Sequence, residues 1–315
     1  MIDRLIEKID RMKNPSTVGL DPTYEMIPKK MKKEMLGLHG KTPMAVAEMF
    51  IAFNKGLIDS LHDIVPAVKL QSAMYEKYGP EGIRAYIETA NYAKEKEMIV
   101  IGDIKRGDIS TTAAAYAAYL SGIEIEGERI DLWNTDAVTL NPYMGYDAIE
   151  PFIKPCNELD KGIFVLVKTS NPSGEQLQDL QVTGWEWPYP RLYQKTAKLV
   201  KEWGKLAMGQ QGYSKVGAVV GAGLNLKYSF YDGAVLRRAL RKHMPNTFFL
   251  VPGYGAQGGK ASEVMDFFDK DGRGCVVNSS RGIIAAYKND SKYGDNNFGD
   301  AARASAMNMK NDIRR

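Results

Sequence analysis

Acidic and basic side chains crowd the end of one apolar run in this 315-residue sequence. The segment IGDIKRGDIST (101–111) carries four charged residues within six positions, among them Asp103, Lys105 and Asp108. If the run is a β-strand, its side chains alternate between two faces, so Asp103 and Lys105 point the same way. Lys69 ends an earlier apolar run in the same manner. Buried charges are costly unless they are paired, so this convergence indicates chemistry.

Such a cluster would keep each lysine charged and fix the position of each proton. Simpler roles exist for two of its members. Lys69 could be a rim lysine paired with Asp103. Asp108 precedes the alanine-rich segment STTAAAYAAYL, so it could cap a helix there, a task that Ser110 could share.

Eight short apolar runs, each a predicted strand, recur along the chain with helical segments between them. They read as continuous rather than alternating hydrophobic segments, which is typical of parallel strands covered on both faces. The runs span 16–20, 65–70, 98–103, 136–141, 162–168, 216–221, 247–252 and 274–279. Helical periodicity marks 44–64, 82–97, 196–208 and 232–244. Eight repeats predict a (β/α)8 barrel, and an open doubly wound sheet is the alternative.

The sequence predicts one domain over residues 1–315, because no linker or change of composition divides it. A (β/α)8 barrel needs about 250 residues. The surplus is assigned to insertions near 25–43 and 171–195 and to a polar tail after about residue 287. Barrel enzymes carry their chemistry at the carboxyl ends of the strands, where this sequence concentrates its charges, amides and glycines.

The composition excludes several classes of protein. A net charge of +4 without a long basic stretch argues against a nucleic-acid binder. No apolar window is long enough to span a membrane, and Cys156 and Cys275 predict free thiols in a reducing compartment, so we expect a cytoplasmic protein. The three histidines and two cysteines have no metal-ligand spacing, and we expect no metal and no cofactor.

Two glycine-rich segments follow the last two predicted strands, PGYGAQGG (252–259) and SSRG (279–282). Barrels often bind phosphate at these two loops, through backbone amides and a nearby charged side chain such as Arg281. Ordinary turns are the simpler interpretation. The segment 254–261 approaches a P-loop, but Tyr254 and Ala261 replace residues that the motif requires.

The segment DIKRGDISTTAAAYAAY resembles the signature of the orotidine 5′-phosphate decarboxylase family, in its longer bacterial and protozoal (type 2) branch. That family carries D-x-K-x-x-D after its third strand and a lysine at the end of its second, which match Asp103, Lys105, Asp108 and Lys69. The resemblance covers roughly residues 14–287. It includes GLDP, VTLNPYMG, FVLVKTSNPSG, VPGYGAQGG and SSRGI.

The resemblance implies a role for each matching residue. Lys105 would protonate C6 of the pyrimidine as carbon dioxide leaves, and Asp103 would lie near the substrate carboxylate. Lys69 and Asp21 would bind ribose hydroxyls. A partner subunit would supply Asp108, Ile109 and Thr112, which makes the enzyme a homodimer. The remaining substrate-binding positions that it implies are Thr169 and Ser170 at the pyrimidine, Gln257 and Arg281 at the phosphate, and also Gln71, Pro252 and Ser280.

The expected reaction is therefore the cofactor-free conversion of orotidine 5′-monophosphate to uridine 5′-monophosphate. A Mg²⁺-dependent sugar-phosphate decarboxylase or epimerase of the same superfamily is the nearest alternative. That branch shares the D-x-K-x-x-D pattern but has an acid at the end of its second strand, where this sequence has Lys69. A non-catalytic phospho-ligand sensor would have no need of a proton donor. The polar segment 171–190, with Trp185, Trp187 and Tyr189, is either a lid or a surface insertion.

Overall fold

Eight parallel strands close into a barrel in the computed structural model, which describes residues 1–183, 190–223, 233–255, 259–290 and 292–313. The ten strands of these described ranges are numbered in chain order. They are β1 Ser16–Gly19, β2 Ala67–Gln71, β3 Ile99–Arg106, β4 Ile123–Ile125, β5 Glu128–Ile130, β6 Ala137–Leu140, β7 Gly162–Lys168, β8 Ser214–Val220, β9 Thr247–Pro252 and β10 Cys275–Ser279. The barrel order is β1-β10-β9-β8-β7-β6-β3-β2, and β4 and β5 form a separate antiparallel hairpin.

Helices follow the barrel strands and cover the outside of the barrel. They are α1 Ile2–Met12, α2 Lys29–His39, α3 Pro43–Leu61, α4 Ser72–Glu76, α5 Gly79–Glu95, α6 Ser110–Tyr116, α7 Ala118–Ser121, α8 Glu150–Glu158, α9 Glu175–Gln178, α10 Leu192–Gly204, α11 Gly233–His243, α12 Ala261–Met265, α13 Arg281–Ile284 and α14 Phe298–Asp312. The four helices expected from periodicity correspond to α3, α5, α10 and α11.

The predicted (β/α)8 barrel is confirmed, since each of the eight predicted runs overlaps one barrel strand. The open-sheet alternative is wrong, because β1 pairs with both β2 and β10 and so closes the sheet. The hairpin of β4 and β5 was not expected from the sequence. Its exposed strands are three residues each and belong to the connection between β3 and β6.

The barrel interior changes from apolar to polar along the strands. At the amino-terminal end Ala67, Ile99, Ala137 and Val276 belong to one buried apolar cluster. Two positions or more further along the same strands, the inward side chains are polar, namely Lys69, Asp103, Thr139 and Asn278. The period of two in a strand brings these residues to the same face, so each strand carries both a core residue and a site residue.

Helix α1 closes the amino-terminal end of the barrel. Its apolar residues Ile2, Leu5, Ile6 and Ile9 are buried in the same cluster as the interior side chains of the barrel, including Phe164. The helix is amphipathic, with charged residues on its other face, as expected for a helix that buries one side. The barrel interior is therefore a packed core at this end.

Three segments lie outside the simple strand–helix repeat. Residues 25–43 hold α2, and the described part of 171–195 holds α9 and the start of α10. Trp185, Trp187 and Tyr189, which the sequence assigned to a lid or a surface insertion, lie outside the described residues. After residue 287, α14 packs against α3 and buries Ala301, Ala302 and Ala306. This final helix therefore covers the barrel as part of its outer layer. In the described residues, no helix is both long and apolar enough to cross a membrane.

Candidate active site

Asp103 is the centre of a charge network at the carboxyl ends of β2 and β3. Lys69 Nζ donates to its Oδ2 at 2.8 Å, and Lys105 Nζ donates to its Oδ1 at 2.5 Å. Gln71 Nε2 adds a bond to Oδ2 at 3.1 Å. The two strands are in register with Gln71 opposite Asp103, so these side chains meet on the interior face. Asp103 is 6% exposed and Lys69 is 4% exposed.

Opposite charges keep Asp103 and Lys69 ionised in spite of their burial. Burial alone would raise the pKa of the Asp103 carboxyl, but the attraction of Lys69 and Lys105 outweighs it and holds the pKa below its usual value. Burial would likewise lower the pKa of Lys69, but Asp103 and Asp21 raise it above its usual value. Both groups are therefore charged at neutral pH.

The backbone at Lys105 is in an unusual conformation. Its φ of 46° lies in the left-handed region, which is rare for a residue with a long side chain. The pairing of β3 with β6 also shifts register between Gly102 and Arg106, as in a β-bulge. This irregularity lets Lys105 reach back to Asp103, and such backbone strain is concentrated at functional sites.

Thr139 on β6 supports both residues, and sequence reasoning missed it. Its hydroxyl donates to Asp103 Oδ1 at 2.8 Å and accepts a bond from the Lys105 amide at 3.0 Å. The side chain is 1% exposed. A signal was available, because Thr139 is the only polar residue of AVTL (137–140) and shares the inward parity of Ala137.

These side chains line a cavity of about 310 Å³ at the mouth of the barrel. Asp21, just after β1, accepts the Gln71 backbone amide at 3.2 Å and lies 3.6 Å from Lys69 Nζ. On the far wall, Asn278 is 6% exposed, and its Oδ1 has no hydrogen-bond partner among the described residues. A buried acceptor on a cavity wall is available to an N–H or O–H group of a ligand.

The cavity extends from the charge network to the ends of β7, β9 and β10. Thr169 and Ser170 line it directly after β7. Pro252, Ser280 and Arg281 line the opposite end. The side chain of Ser280 donates to the Gly19 carbonyl at 3.0 Å, and Arg281 is exposed, so Arg281 carries the positive charge at this end. Gln257, the other predicted phosphate ligand, lies outside the described residues.

The comparisons with known proteins agree with this geometry. The family described as orotidine 5′-phosphate decarboxylase / HUMPS matches residues 18–294. The chain belongs to this family.

Relatives of known name cover nearly the whole chain. The orotidine 5′-phosphate decarboxylase of Rhodopirellula baltica is 41% identical over 301 residues, which is 94% of this chain and 93% of the relative. The protein of the same name from Caldicellulosiruptor saccharolyticus is 40% identical over 288 residues, 91% of this chain and 90% of the relative.

Solved structures from the family share the same architecture. The OMP decarboxylase of Leishmania donovani aligns with a TM-score of 0.69 and 30% identity over 99% of this chain and 98% of that chain. The UMP synthase of the same organism aligns with a TM-score of 0.71 and 31% identity, over 100% of this chain and 56% of that chain.

Three residues of the family signature stay outside the cavity of the single chain. Asp108, Ile109 and Thr112 are absent from its lining, although all three are described. Asp108 Oδ1 accepts the Ile109 amide at 2.7 Å, and the Ile109 side chain is 57% exposed. The cap position of α6 is Ile109 and has no side-chain cap, so neither Asp108 nor Ser110 is the N-cap that the sequence suggested as an alternative.

No group of three or more histidine, cysteine, aspartate or glutamate side chains in the described part of the chain is arranged to hold a metal ion. Both oxygens of Asp103 are bonded to ammonium groups. A divalent cation at this carboxylate would have to displace one of these lysines and would then be repelled by the other.

Proposed function

We propose that this protein decarboxylates orotidine 5′-monophosphate to uridine 5′-monophosphate without a cofactor. The observation that carries the proposal is the array of Lys69, Asp103 and Lys105 in the cavity of a barrel that belongs to this family. The family relatives that are about 40% identical bear the name of this decarboxylase. The network supplies what the reaction needs, a fixed ammonium group beside the reacting carbon.

The reaction breaks the bond between C6 and the carboxylate, and its electron pair stays on C6 as carbon dioxide leaves. The charged Lys105 ammonium stabilises this developing negative charge and then gives its proton to C6. The neutral amine recovers a proton from solvent before the next turnover. Asp103 stays ionised beside the substrate carboxylate and holds Lys105 in place.

One fixed charge supplies part of the acceleration. At about 4 Å and an effective dielectric constant near 20, a unit charge stabilises an opposite charge by about 4 kcal/mol. This is worth about 10³-fold in rate, since each ~1.4 kcal/mol is a factor of ten. The rest must come from binding energy of substrate groups that do not react.

The cavity offers a site for each of those groups. Asp21 and Lys69 are assigned to the ribose hydroxyls, with Gln71 beside them. Thr169 and Ser170 are assigned to the pyrimidine. Arg281, with Gln257, Ser280 and the backbone near Pro252, is assigned to the phosphate, at the two loops where barrels bind phosphate.

We further propose a homodimer in which each site takes Asp108, Ile109 and Thr112 from the partner chain. The exposed Ile109 beside Asp108 supports this proposal, because a large apolar side chain next to a signature acid suits an interface. The cytoplasm is the proposed location, since both cysteines are buried thiols that form no disulfide.

Lys69 favours the decarboxylase over the sugar-phosphate branch that shares the family description. In that branch an acid stands at the end of the second strand. Here a lysine occupies the position and is bonded to Asp103 at 2.8 Å. A sensor that only binds phosphorylated ligands would not require the strained backbone that brings Lys105 to Asp103.

The deciding experiment follows the ultraviolet absorbance of orotidine 5′-monophosphate during incubation with the purified protein after treatment with a chelator. We expect the absorbance change of decarboxylation at an unreduced rate after metal removal. A folded protein that leaves the absorbance unchanged would refute the proposed function. Activity that returns only with Mg²⁺ would favour the sugar-phosphate branch, which is then tested with sugar phosphates.

A further inference from the structure

Thr169, at the pyrimidine end of the cavity, is held by a side chain from α9. The Thr169 amide donates to Gln178 Oε1 at 3.0 Å, and Gln178 Nε2 donates to the Thr169 hydroxyl at 2.7 Å. One side-chain amide thus bonds both the backbone and the hydroxyl of the residue that follows β7, and the hydroxyl itself donates to Asn171 Oδ1 at 2.6 Å. Gln178 does not line the cavity itself.

Asp179, the residue after Gln178, pairs with Lys168, the residue before Thr169. Lys168 Nζ lies 2.8 Å from both carboxylate oxygens of Asp179, and the Lys168 side chain is 1% exposed. A buried ammonium requires such a partner, since an unpaired charge at this depth is costly. Gln178 therefore bonds Thr169, and Asp179 bonds Lys168. We call these four residues the α9 clasp.

The clasp is tied to the scaffold on both sides. Arg191 Nη1 donates to the Asp179 carbonyl at 2.5 Å, and the Leu192 amide donates to the Leu180 carbonyl at 2.9 Å, so the insertion is anchored where α10 begins. On the other side, Ser170, which follows Thr169 of the clasp, packs closely on the end of β8. A Cβ on Gly221 would lie 2.8 Å from Ser170 Cβ.

We infer that Gln178 and Asp179 are positioning residues that fix Thr169 and Ser170 against the pyrimidine ring without touching the substrate. The inference rests on the proposed function, because it assigns the task of recognising the pyrimidine to the end of β7. It gives the segment after Asn171 a specific role, which is to set the geometry of ring recognition. The ribose and phosphate contacts lie on other strands and are independent of the clasp.

The test is the variant Gln178→Met, which keeps the length of the side chain and removes both bonds to Thr169. Gln176→Met is the matched control, since Gln176 is exposed on the same helix. For each protein we would measure kcat and KM with orotidine 5′-monophosphate. The dissociation constants of uridine 5′-monophosphate and ribose 5-phosphate would be measured as well, the latter lacking the ring.

We expect Gln178→Met to weaken uridine 5′-monophosphate binding and to lower kcat/KM by at least about tenfold, as misplaced contacts do. Its affinity for ribose 5-phosphate and both affinities of Gln176→Met should match the wild type. Equal weakening of both ligands, or no weakening of either, would overturn the inference. If Gln178→Met does not fold, Gln178→Glu replaces it under the same criteria, since it keeps the acceptor for the Thr169 amide.

The wild-type protein separates this inference from the proposed function. An active wild type with an unimpaired Gln178→Met variant refutes the clasp alone. A wild type that neither converts orotidine 5′-monophosphate nor binds uridine 5′-monophosphate refutes the proposed function, and the role of the clasp falls with it.

Discussion

Lys105 Nζ lies 2.5 Å from Asp103 Oδ1, two positions earlier in the same strand. The backbone at Lys105 is in the left-handed conformation. The contact thus depends on a local irregularity of β3. The hydrogen bond from the Lys105 backbone amide to the Thr139 hydroxyl holds this irregularity in place. A regular strand would keep the two side chains parallel and would give the ammonium group less support. The position of the proposed proton donor is therefore set by the backbone as well as by charge.

Replacement of Lys105 tests the proton donor directly. Lys105→Ala removes the ammonium group, so we expect kcat to fall by at least about 10³-fold, while uridine 5′-monophosphate still binds. Turnover and nucleotide binding are measured on the same samples. Lys154→Ala, at a lysine whose side chain is 75% exposed, is the control and should be fully active. Near-normal turnover in Lys105→Ala would exclude the lysine from this role.

Thr139→Val tests the support of the strained segment, because valine has almost the same shape and lacks the hydroxyl. The variant leaves Asp103 without one donor and the Lys105 amide without its acceptor. We expect kcat/KM to fall by about tenfold or more, since an unsatisfied buried group costs about 1–3 kcal/mol. Thr139→Ser restores the hydroxyl and should recover most of the activity. Equal activity of the valine and serine variants would argue against this role.

The pKa shifts in the network predict how stability depends on pH. Because the folded pKa of Asp103 is lowered, its contribution is complete above about pH 5 and is lost as the pH falls through the folded value. Because the folded pKa of Lys69 is raised, its contribution is complete below about pH 9 and is lost as the pH rises through the folded value.

Urea unfolding of Asp103→Asn and of the wild type measures the acidic side of this dependence. The variant should be less stable at neutral pH, and the difference should shrink below about pH 4, where the carboxyl of the unfolded wild-type chain begins to take up a proton while the folded one stays ionised. Asp147→Asn, at an exposed position, should show no such pH dependence. A difference that stays constant into strong acid would contradict the ion-pair explanation.

The proposed shared site makes a quantitative prediction for mixed dimers. When Lys105→Ala and Asp108→Asn chains exchange subunits, each mixed dimer contains one intact site and one doubly altered site. An equal mixture should recover roughly a quarter of the wild-type activity, since about half of the dimers are mixed. The control pairs Lys105→Ala with Asp103→Asn. No intact site can form there, because those two side chains meet within one chain. No recovery in the first mixture, once subunit exchange is demonstrated, or recovery in the control, would contradict the proposed arrangement.

Local patterns predicted much of the fold and part of the site. The apolar runs identified all eight barrel strands, because a buried parallel strand has a continuous hydrophobic signature. The prediction from strand alternation that Asp103 and Lys105 point the same way agrees with their contact, although β3 is irregular at Lys105. These inferences worked because each depends on the spacing of residues within one element.

The contacts between segments that are distant in the chain could not be predicted from the sequence. The amphipathic pattern of α1 did not reveal that Leu5 and Phe164 share one buried cluster. The bulge near Lys105 depends on pairing with β6, and the grip of Gln178 on Thr169 depends on how the insertion folds back. Thr139 gave only a weak signal, since one threonine in an apolar strand is common.

Helix α1 packs on the interior core at the amino-terminal end of the barrel, and the cavity of the site lies at the opposite end. In the proposed reaction, carbon dioxide and the nucleotide product would leave by the route through which the substrate enters. Carbon dioxide would form beside Asp103 and Lys105 and would share this exit with the nucleotide product. The bound product would block the next substrate, so release of the nucleotide would limit the rate of the proposed cycle.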